Sequence, residues 1–290
     1  MNTDLIAPHR GEEPEDGVLY LVGTPIGNLS DISPRAINVL KKVNFIACED
    51  TRNTRKIMTR YKFNNILESF NKINLFKKIP KIIDCLKSGQ SIAIVSDAGM
   101  PSICDPGEEI VLIAKKNNIN VICIPGPCAA LTALVTSGFT SSKFVFEGFL
   151  PKKNNEREKL LREISQREIT TVLYESPHRL KRLLEDLQEY CGSKREISIS
   201  RELTKIFEEN LTSNINQINE LFNKKIPKGE FTIVIEGNSV KKNNNDDDYD
   251  KNIKEEIDEL IEAGLSLSRA AKYLAKKKNL SKNLIYNLFK

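Results

Sequence analysis

Three turns rich in glycine and proline each follow a short apolar segment of the sequence. They are Gly23–Asn28, Asp97–Ser102 and Pro125–Pro127. Glycine lets a backbone turn sharply and approach a ligand, because it has no Cβ. Taken alone, the first is best explained as a structural turn, since it matches neither glycine-rich nucleotide-binding motif. None contains Lys or Arg, so backbone amides with the Asp97 carboxylate would suit an adenosine bearing a zwitterionic amino acid better than a phosphate.

The first half of the sequence alternates short apolar segments with amphipathic ones. Predicted strands cover Val18–Val22, Phe45–Cys48, Ile66–Ser69, Ile92–Ser96 and Val121–Ile124. Predicted helices run from Pro34, capped by Ser33, to Lys41, and over Thr51–Tyr61, Leu75–Lys87, Gly107–Lys116 and Cys128–Thr136. This alternation predicts a parallel sheet covered by helices on both faces. The three turns would then lie together at the carboxyl ends of strands, where α/β proteins bind ligands.

The second half contains two predicted strands with no helix between them, which indicates a mixed sheet. Predicted strands cover Lys143–Glu147, Thr170–Glu175, Glu196–Arg201, Phe207–Thr212 and Phe231–Glu236, and predicted helices cover Glu156–Arg167, Arg179–Tyr190 and Ile215–Phe222. The fold class is therefore α/β, with domains over residues 18–127 and 128–237 after a disordered lead-in over residues 1–17. The domains would meet near Gly126–Gly138 and form a ligand cleft there.

The C-terminal end of the chain is basic. A polar linker over residues 238–250 precedes three short predicted helices in residues 251–290, and the last two resemble a helix-turn-helix. From Leu265 onward the chain has no acidic residue and seven basic ones: Arg269, Lys272, Lys276, Lys277, Lys278, Lys282 and Lys290. The extension is either a nucleic-acid-binding element or a small bundle that packs on the body, and its charge favours the first.

Composition excludes several classes of protein. No apolar run approaches the roughly 20 residues that cross a bilayer, and the polar N-terminus does not resemble a signal peptide. We therefore expect a cytoplasmic protein that does not bind membranes. Six scattered cysteines without a C-x-x-C pair, and only two histidines, predict neither a metal site nor a disulfide framework.

Eight motifs occur in the order in which they are found in one known family. They are GTPIGN at Gly23–Asn28, CEDTRNT at Cys48–Thr54, and the segments Ser96–Gly107, Ile124–Phe139, Phe146–Pro151, Tyr174–Arg179, Ser200–Lys205 and Lys228–Gly237. Together they resemble the ribosomal RNA small subunit methyltransferase I family of the tetrapyrrole-methylase (class III) superfamily. The likeness extends from about Val18 to Gly237, and the basic tail is similar to that family's C-terminal extension.

The resemblance implies two α/β domains of tetrapyrrole-methylase type, with S-adenosylmethionine bound between them. It also implies a homodimer that methylates a cytidine ribose 2′-hydroxyl in the decoding centre of 16S ribosomal RNA, with free RNA or the 30S subunit as substrate. Cofactor-binding residues carried over from the family's motifs are Pro25, Gly27, Asp97, Ala98, Gly99, Pro101, Pro125, Gly126, Ala129, Thr132, Tyr174, Gly229, Glu230 and Phe231.

A ribose hydroxyl is a poor nucleophile, so a general base would assist the transfer. Candidates are Glu49, Asp50, Asp97, Glu175, His178 and Glu202, which the sequence does not rank. His178 is better explained as a residue at a helix start. Glu49-Asp50 with Arg52 could equally position the acceptor hydroxyl or form a local ion pair. Our hypothesis is that positioning of the reactants dominates the rate and that no single base is indispensable.

Residues proposed to bind RNA are Arg52, Arg201 and Lys205 in the body, with Arg269, Lys272, Lys276, Lys277, Lys278 and Lys282 in the tail. Two other functions stay open. A methylase of the same fold could act on a small tetrapyrrole-like molecule, although the basic tail argues against it. The chain could also be a non-catalytic nucleic-acid-binding protein that retains a cofactor pocket.

Overall fold

The structure, a computed structural model, describes residues 13–238 and 256–278. It contains two five-stranded sheets. Both belong to one compact unit, formed by the described residues of Met1–Ser165 and by Ile169–Glu236. The predicted α/β class is confirmed, whereas the domain boundaries at residues 127 and 128 stay a prediction.

The first sheet is entirely parallel, as predicted. Its strands, in the spatial order β3-β2-β4-β1-β5, are β1 (Leu19–Val22), β2 (Phe45–Cys48), β3 (Leu67–Ser69), β4 (Ile92–Val95) and β5 (Val121–Ile124). Every residue of β2 and β4 is buried, and alternate side chains enter two hydrophobic clusters on opposite faces of the sheet. Burial on both faces explains why these strands are continuous apolar runs in the sequence.

Five helices follow the strands of this sheet. They are α1 (Pro34–Lys42), α2 (Thr51–Arg60), α3 (Leu75–Lys87), α4 (Glu108–Lys116) and α5 (Ala129–Ser137). The predicted start of α1 is confirmed, since Ser33 Oγ accepts a hydrogen bond from Ala36 N at 3.1 Å. Other predicted bounds differ from the structure by one residue, as is common where helix ends fray.

The second sheet is mixed, again as predicted. Its strands, in the spatial order β6-β7-β10-β8-β9, are β6 (Phe144–Phe149), β7 (Thr170–Glu175), β8 (Glu196–Arg201), β9 (Glu209–Asn214) and β10 (Phe231–Ile235). Only the β6–β7 pair is parallel. Helices α6 (Asn154–Gln166), α7 (Pro177–Cys191) and α8 (Ile215–Asn223) belong to this half of the chain.

Five predicted bounds in this half are wrong by two residues: the end of β6 at Glu147, the start of α6 at Glu156, the start of α7 at Arg179 and both ends of β9 at Phe207 and Thr212. Two of them have a clear physical reason. The strand predicted from Phe207 begins at Glu209, because the preceding loop turns through left-handed conformations at Glu202 and Thr204 and leaves Phe207 exposed. The helix predicted from Arg179 begins at Pro177, where the extended Ser176 precedes a proline at the first helical position.

Helix α5 links the two halves of this unit. It follows the last strand of the first sheet, but its buried residues Ala130, Ala133 and Leu134 pack with Val172 and Val234 of the second sheet. The turn Pro125–Pro127 therefore lies where the chain passes from one sheet to the other.

The described part of the tail, residues 256–278, forms helices over residues 256–262 and over α9 (Leu267–Lys278). Ile257, Ala270, Ala271 and Leu274 are buried in a small apolar cluster. Arg269, Lys272 and Lys276 are exposed, and Lys277 Nζ lies 3.4 Å from Glu256. The predicted third helix, with Lys282 and Lys290, lies outside the described residues, as do the linker after Asn238 and residues 1–12. No helix in the described part of the chain is long and apolar enough to cross a bilayer.

Candidate active site

The three glycine-proline turns converge in the structure. Thr24 and Gly99 exchange two backbone hydrogen bonds, with N–O distances of 2.8 and 3.1 Å, which join the first turn to the second. The first and third turns touch backbone to backbone, because a Cβ on Gly23 would lie 2.6 Å from the Cα of Gly126. Glycine is therefore required at both positions for the turns to meet.

A cavity of about 560 Å³ lies between these turns and the second sheet. Its size is in the range of small-molecule sites. The predicted site residues that line it are Glu49, Asp97, Ala98, Gly99, Ala129, Tyr174, Glu175, Glu230 and Phe231. The lining also includes residues that the sequence did not single out, namely Ile26, Met100, Ile103, Cys104, Asp105, Cys128, Phe149, Ser176, Pro177, Ser200, Leu203 and Thr232.

Seven other predicted cofactor residues do not line the cavity. Gly27 packs against the loop after β8, where a Cβ would lie 2.7 Å from Thr204 Oγ1. Thr132 Oγ1 donates to Cys128 O within α5. Four of the remaining residues lie in the turns themselves: Pro25, Pro101, Pro125 and Gly126. Gly229 lies in the loop before β10, where a Cβ would meet the Glu202 side chain at 2.5 Å.

Three carboxylates line the side of the cavity formed by the first sheet. Asp97 Oδ1 accepts a hydrogen bond from Asp50 N at 3.0 Å, which joins the loops after β2 and β4. Burial raises the pKa of Glu49, and repulsion from Asp105 and Asp97 adds to this rise. Burial also raises the pKa of Asp105, with Lys72 acting against it. Asp105 was not predicted as a site residue. Its position in Asp105-Pro106-Gly107, which precedes α4 and marks the start of a helix, could have indicated it.

Asp50 and Arg52 form a local ion pair outside the cavity. Asp50 Oδ1 caps α2 by accepting from Arg52 N at 2.8 Å, and both carboxylate oxygens accept from the Arg52 guanidinium. These bonds lower the pKa of Asp50 to about 2. Asp50 is therefore a weak base, and the ion pair accounts for the Asp50–Arg52 spacing.

A row of polar side chains from the second sheet faces the cavity. Tyr174, Thr232 and Ser200 are paired across β7, β10 and β8. Tyr174 Oη accepts from Ala130 N at 3.1 Å and so ties this row to α5, and burial raises the pKa of Tyr174. The sequence indicated Tyr174, but the partners Ser200 and Thr232 follow only from the strand register.

Two buried oxygen atoms at the cavity are unsatisfied. Glu175 is 2% exposed; its Oε1 accepts from Ser176 N at 2.8 Å and lies 3.5 Å from Arg179 Nε. Glu175 Oε2 and Ser200 Oγ are buried and have no hydrogen-bond partner among the described residues. Leaving such atoms unpaired is costly, so both are placed to bind a polar group of a ligand.

The last two candidate bases lie elsewhere. His178 is exposed at the second position of α7 and does not line the cavity, which matches its interpretation as a residue at a helix start. Glu202 Oε1 accepts from Lys205 Nζ and Glu230 N, both at 2.9 Å. Burial opposes ionisation of Glu202, but these hydrogen bonds outweigh it and lower its pKa.

Like Arg52 and Lys277, two further residues predicted to bind RNA are held by internal contacts. Lys205 Nζ contacts Glu202 and Glu230, each at 2.9 Å. Arg201 donates to Lys228 O at 2.6 Å and to Glu209 at 3.2 Å.

Among the residues that the structure describes, no cluster of His, Cys, Asp and Glu is arranged to hold a metal ion.

Comparison with known families and proteins gives a consistent result. Residues 18–219 match the family described as Tetrapyrrole (Corrin/Porphyrin) Methylases. The chain is 41% identical over 272 residues to the ribosomal RNA small subunit methyltransferase I of Synechocystis sp., covering 94% of this chain and 97% of that protein. It is 40% identical over 275 residues to that of Bacillus subtilis, covering 94% of each chain. The Thermotoga maritima protein of this name is 44% identical over 221 residues, which are 76% of this chain and 99% of that one.

Solved structures of methyltransferases share the fold. Cobalt precorrin-4 methyltransferase matches with a TM-score of 0.58 at 13% identity, covering 76% of this chain and 95% of that one. Uroporphyrin-III C-methyltransferase from Thermus thermophilus, complexed with S-adenyl homocysteine, matches with a TM-score of 0.55 at 15% identity, covering 77% and 98%. At such low identity the likeness concerns the fold alone.

Proposed function

Because the chain belongs to the ribosomal RNA small subunit methyltransferase I family of the tetrapyrrole methylases, we propose that it methylates small-subunit ribosomal RNA with S-adenosylmethionine. The acceptor in this proposal is the ribose 2′-hydroxyl of a cytidine in the decoding centre of 16S ribosomal RNA. The substrate is the free RNA or the 30S subunit.

The charge of the cavity is the observation that carries the proposal. Its lining includes five carboxylates, from Glu49, Asp97, Asp105, Glu175 and Glu230, and no Lys or Arg. A sulfonium ion and an ammonium group are favourable in such surroundings, whereas a phosphate is repelled. The site therefore fits a cationic methyl donor. A ribose hydroxyl of RNA can enter it only if the neighbouring phosphates stay outside.

The residues around the cavity fit S-adenosylmethionine. Backbone amides of Ala98 and Ala129, the Asp97 carboxylate and the hydroxyls of Ser200 and Thr232 would hold its polar groups, and Ile26 and Leu203 would cover its apolar ones. The bound cofactor supplies an electrophilic methyl group. The protein supplies a fixed position for the acceptor, and orientation of two reactants can contribute roughly 7–11 kcal/mol to a reaction.

Glu49, Asp97 and Glu175 are the candidate bases that line the cavity, whereas Asp50, His178 and Glu202 do not. In this proposal Glu175 Oε2, which is buried and unpaired, takes the proton that the ribose hydroxyl loses as the new bond forms. A general base contributes typically 10²–10⁴-fold to a rate. Positioning then remains the larger contribution.

Homodimerisation is part of the proposal. Leu131 and Val135 are 50% and 72% exposed and lie four residues apart on α5, so they form an apolar stripe on that helix. Exposed apolar groups of this kind are typical of interfaces between subunits. Sedimentation equilibrium should give a dimer for the native chain, and Leu131→Glu with Val135→Glu should give a monomer.

The test of the function is mass mapping of ribosomal RNA after reaction with purified protein and labelled S-adenosylmethionine. Naked 16S RNA and 30S subunits from cells that lack the modification are offered separately, beside a tetrapyrrole precursor. One methyl group on one cytidine ribose is the expected product. Methylation of a base, or of the tetrapyrrole alone, contradicts the proposal; so does the absence of cofactor binding in calorimetry.

A further inference from the structure

Helix α2 and the residue pair that follows it carry an unusual concentration of positive charge. Arg52, Arg55, Lys56, Arg60 and Lys62 are all exposed, and we call them the α2 basic strip. The sequence from Thr51 to Leu67 has no acidic residue. Arg52 is the one residue of this strip that the sequence predicts to bind RNA.

The strip is electrostatically unfavourable for the isolated protein. Arg52, Lys56 and Arg60 repeat every four residues, and like charges at this spacing destabilise a helix by about 0.2–0.5 kcal/mol per pair. Arg52 is paired with Asp50, and Lys56 Nζ donates only to the neutral Asn53 Oδ1, at 2.9 Å. Arg55, Arg60 and Lys62 form no ion pair with any described residue. An anionic partner would offset this repulsion.

The strip starts at the rim of the cavity. Glu49 lines the cavity, Asp50 caps α2, and Arg52 follows in the first turn of the helix. From Arg52 to Arg60 the helix advances by about 12 Å, at 1.5 Å per residue. The positive charge therefore extends away from the site along helix α2.

A groove of about 770 Å³ lies beside the strip, between α2 and the edge strand β3. It is lined by Arg55, Met58, Thr59, Lys62, Phe63, Asn64, Asn65 and Leu67, with no carboxylate. The Asn65 amide is held by internal hydrogen bonds, so the ligand contacts available are the cations, the Asn64 amide and the partly buried Phe63 ring. Such a lining suits a nucleic-acid strand, whose phosphates bind cations and whose bases stack on rings.

We propose that the α2 basic strip and its groove bind the phosphate backbone of the RNA next to the nucleotide that enters the cavity. This inference rests on the proposed function and extends it. It explains how a cavity lined by carboxylates can act on a polyanion, because the phosphates are held on α2 while one ribose reaches Glu49 and Glu175. Apart from Arg52, which pairs with Asp50, the cations of the strip have no acidic partner among the described residues, unlike Arg201 and Lys205.

The test compares two triple variants of the full chain that remove the same charge. The strip variant is Arg55→Gln, Lys56→Gln and Arg60→Gln. The control is Lys77→Gln, Lys115→Gln and Lys116→Gln, three exposed lysines on α3 and α4. Binding of 16S RNA is measured by fluorescence anisotropy over a range of salt concentrations, cofactor binding by calorimetry, and methylation by kcat and KM.

The strip variant should bind RNA at least about tenfold more weakly at low salt, and the slope of log K against log[salt] should become shallower by roughly 2–3, since each phosphate contact contributes about 0.7–0.9. KM for RNA should rise while cofactor affinity is unchanged, and the melting temperature should be unchanged or slightly higher, because the variant removes both like-charge pairs of α2. The control should behave like the native chain. Equal effects in both variants, or an unchanged slope in the strip variant, overturn this inference. The proposed function still stands in that case if the native chain methylates the RNA. A native chain that neither binds nor methylates RNA overturns both.

Discussion

Gly23 and Gly126 touch through their backbones, although 102 positions separate them in the sequence. A Cβ on Gly23 would lie 2.6 Å from Gly126 Cα, and one on Gly126 would lie 2.7 Å from Gly23 Cα. These distances are too short for any side chain. The contact sets the position of the first and third turns, and with them the wall of the cavity.

Replacing Gly126 by Ala should separate these turns. Overpacking of this kind costs typically about 1–3 kcal/mol, and the strain falls on the proposed cofactor site. We expect the affinity for S-adenosylmethionine, measured by calorimetry, to fall at least about tenfold, which corresponds to about 1.4 kcal/mol.

The control is Gly138→Ala at the end of α5. Gly138 has a left-handed φ of 79°, and nothing lies within 4 Å of the position that a Cβ would take. This variant should lose stability, by roughly 1 kcal/mol for the backbone strain, and bind the cofactor normally. Normal cofactor binding by Gly126→Ala would show that the contact is not needed for the site.

Much of the fold could be predicted because local sequence patterns determine it. Segments such as Ile92–Val95 are short, apolar and buried on both faces, as a central parallel strand requires. The convergence of the turns then follows from the geometry of a parallel sheet, which brings the carboxyl ends of its strands to one edge. Asp97 and Gly99 could be placed at the site for this reason.

The second sheet's contribution could not be predicted in the same way. Ser200 and Thr232 resemble any polar residue that alternates along a strand, and they become neighbours only when β8 pairs with β10. Likewise, the sequence does not show that Lys205 is held by Glu202 and Glu230. Such pairings depend on strand register and on loops, which no local pattern encodes.

Glu175→Gln should lower kcat by about 10²-fold, the low end of what a general base contributes. Gln cannot accept the proton, but it keeps the volume of the buried side chain. Cofactor affinity should be retained. A loss near 10⁴-fold would contradict the hypothesis that positioning dominates, and an unchanged kcat would exclude Glu175 as the base.

Ser200→Ala serves as the comparison for this variant, since it removes the other unpaired oxygen. In the free protein the hydroxyl is buried without a partner, so its removal should leave the melting temperature unchanged or raise it. Ligand binding should weaken if the hydroxyl contacts the ligand. A lower melting temperature with normal binding would instead assign Ser200 a packing role.

Glu49→Gln should stabilise the protein at neutral pH. Because burial raises the pKa of Glu49 above its ordinary value of 4.5, the folded state holds the proton more tightly than the unfolded state. The protonated Glu49 carboxyl therefore contributes stability below pH 4.5, and this contribution is lost as the pH rises through the folded-state pKa. The melting temperature of the variant should therefore exceed that of the native chain at pH 7, and the difference should vanish near pH 4.

Glu68→Gln is the control of opposite sign. A hydrogen bond from Lys81 lowers the pKa of Glu68, so its stabilising effect is present above the unfolded pKa and lost as pH falls through the folded one. The melting temperature of this variant should be lower than that of the native chain at pH 7 and equal to it in acid. A pH-independent difference for Glu49→Gln would contradict the electrostatic interpretation of the carboxylates at the cavity.

Deletion of residues 239–290 should separate RNA affinity from cofactor binding. The cavity is lined by residues between Ile26 and Thr232, all of which remain in the shortened chain, so cofactor affinity should not change. The deleted segment includes the exposed Arg269, Lys272 and Lys276 of α9. If these bind phosphates, RNA binding should weaken and its dependence on salt should become shallower by about 0.7–0.9 for each lost contact.

The full-length variant Arg269→Gln, Lys272→Gln and Lys276→Gln distinguishes charge from packing. Its exposed substitutions leave the apolar cluster of Ile257, Ala270 and Leu274 intact. It should reproduce most of the change in salt dependence that the deletion causes. If the deletion weakens binding while this variant does not, the tail acts through its fold rather than its charge. If neither changes the slope, the tail makes no phosphate contacts and the α2 basic strip remains the proposed RNA-binding surface of the body.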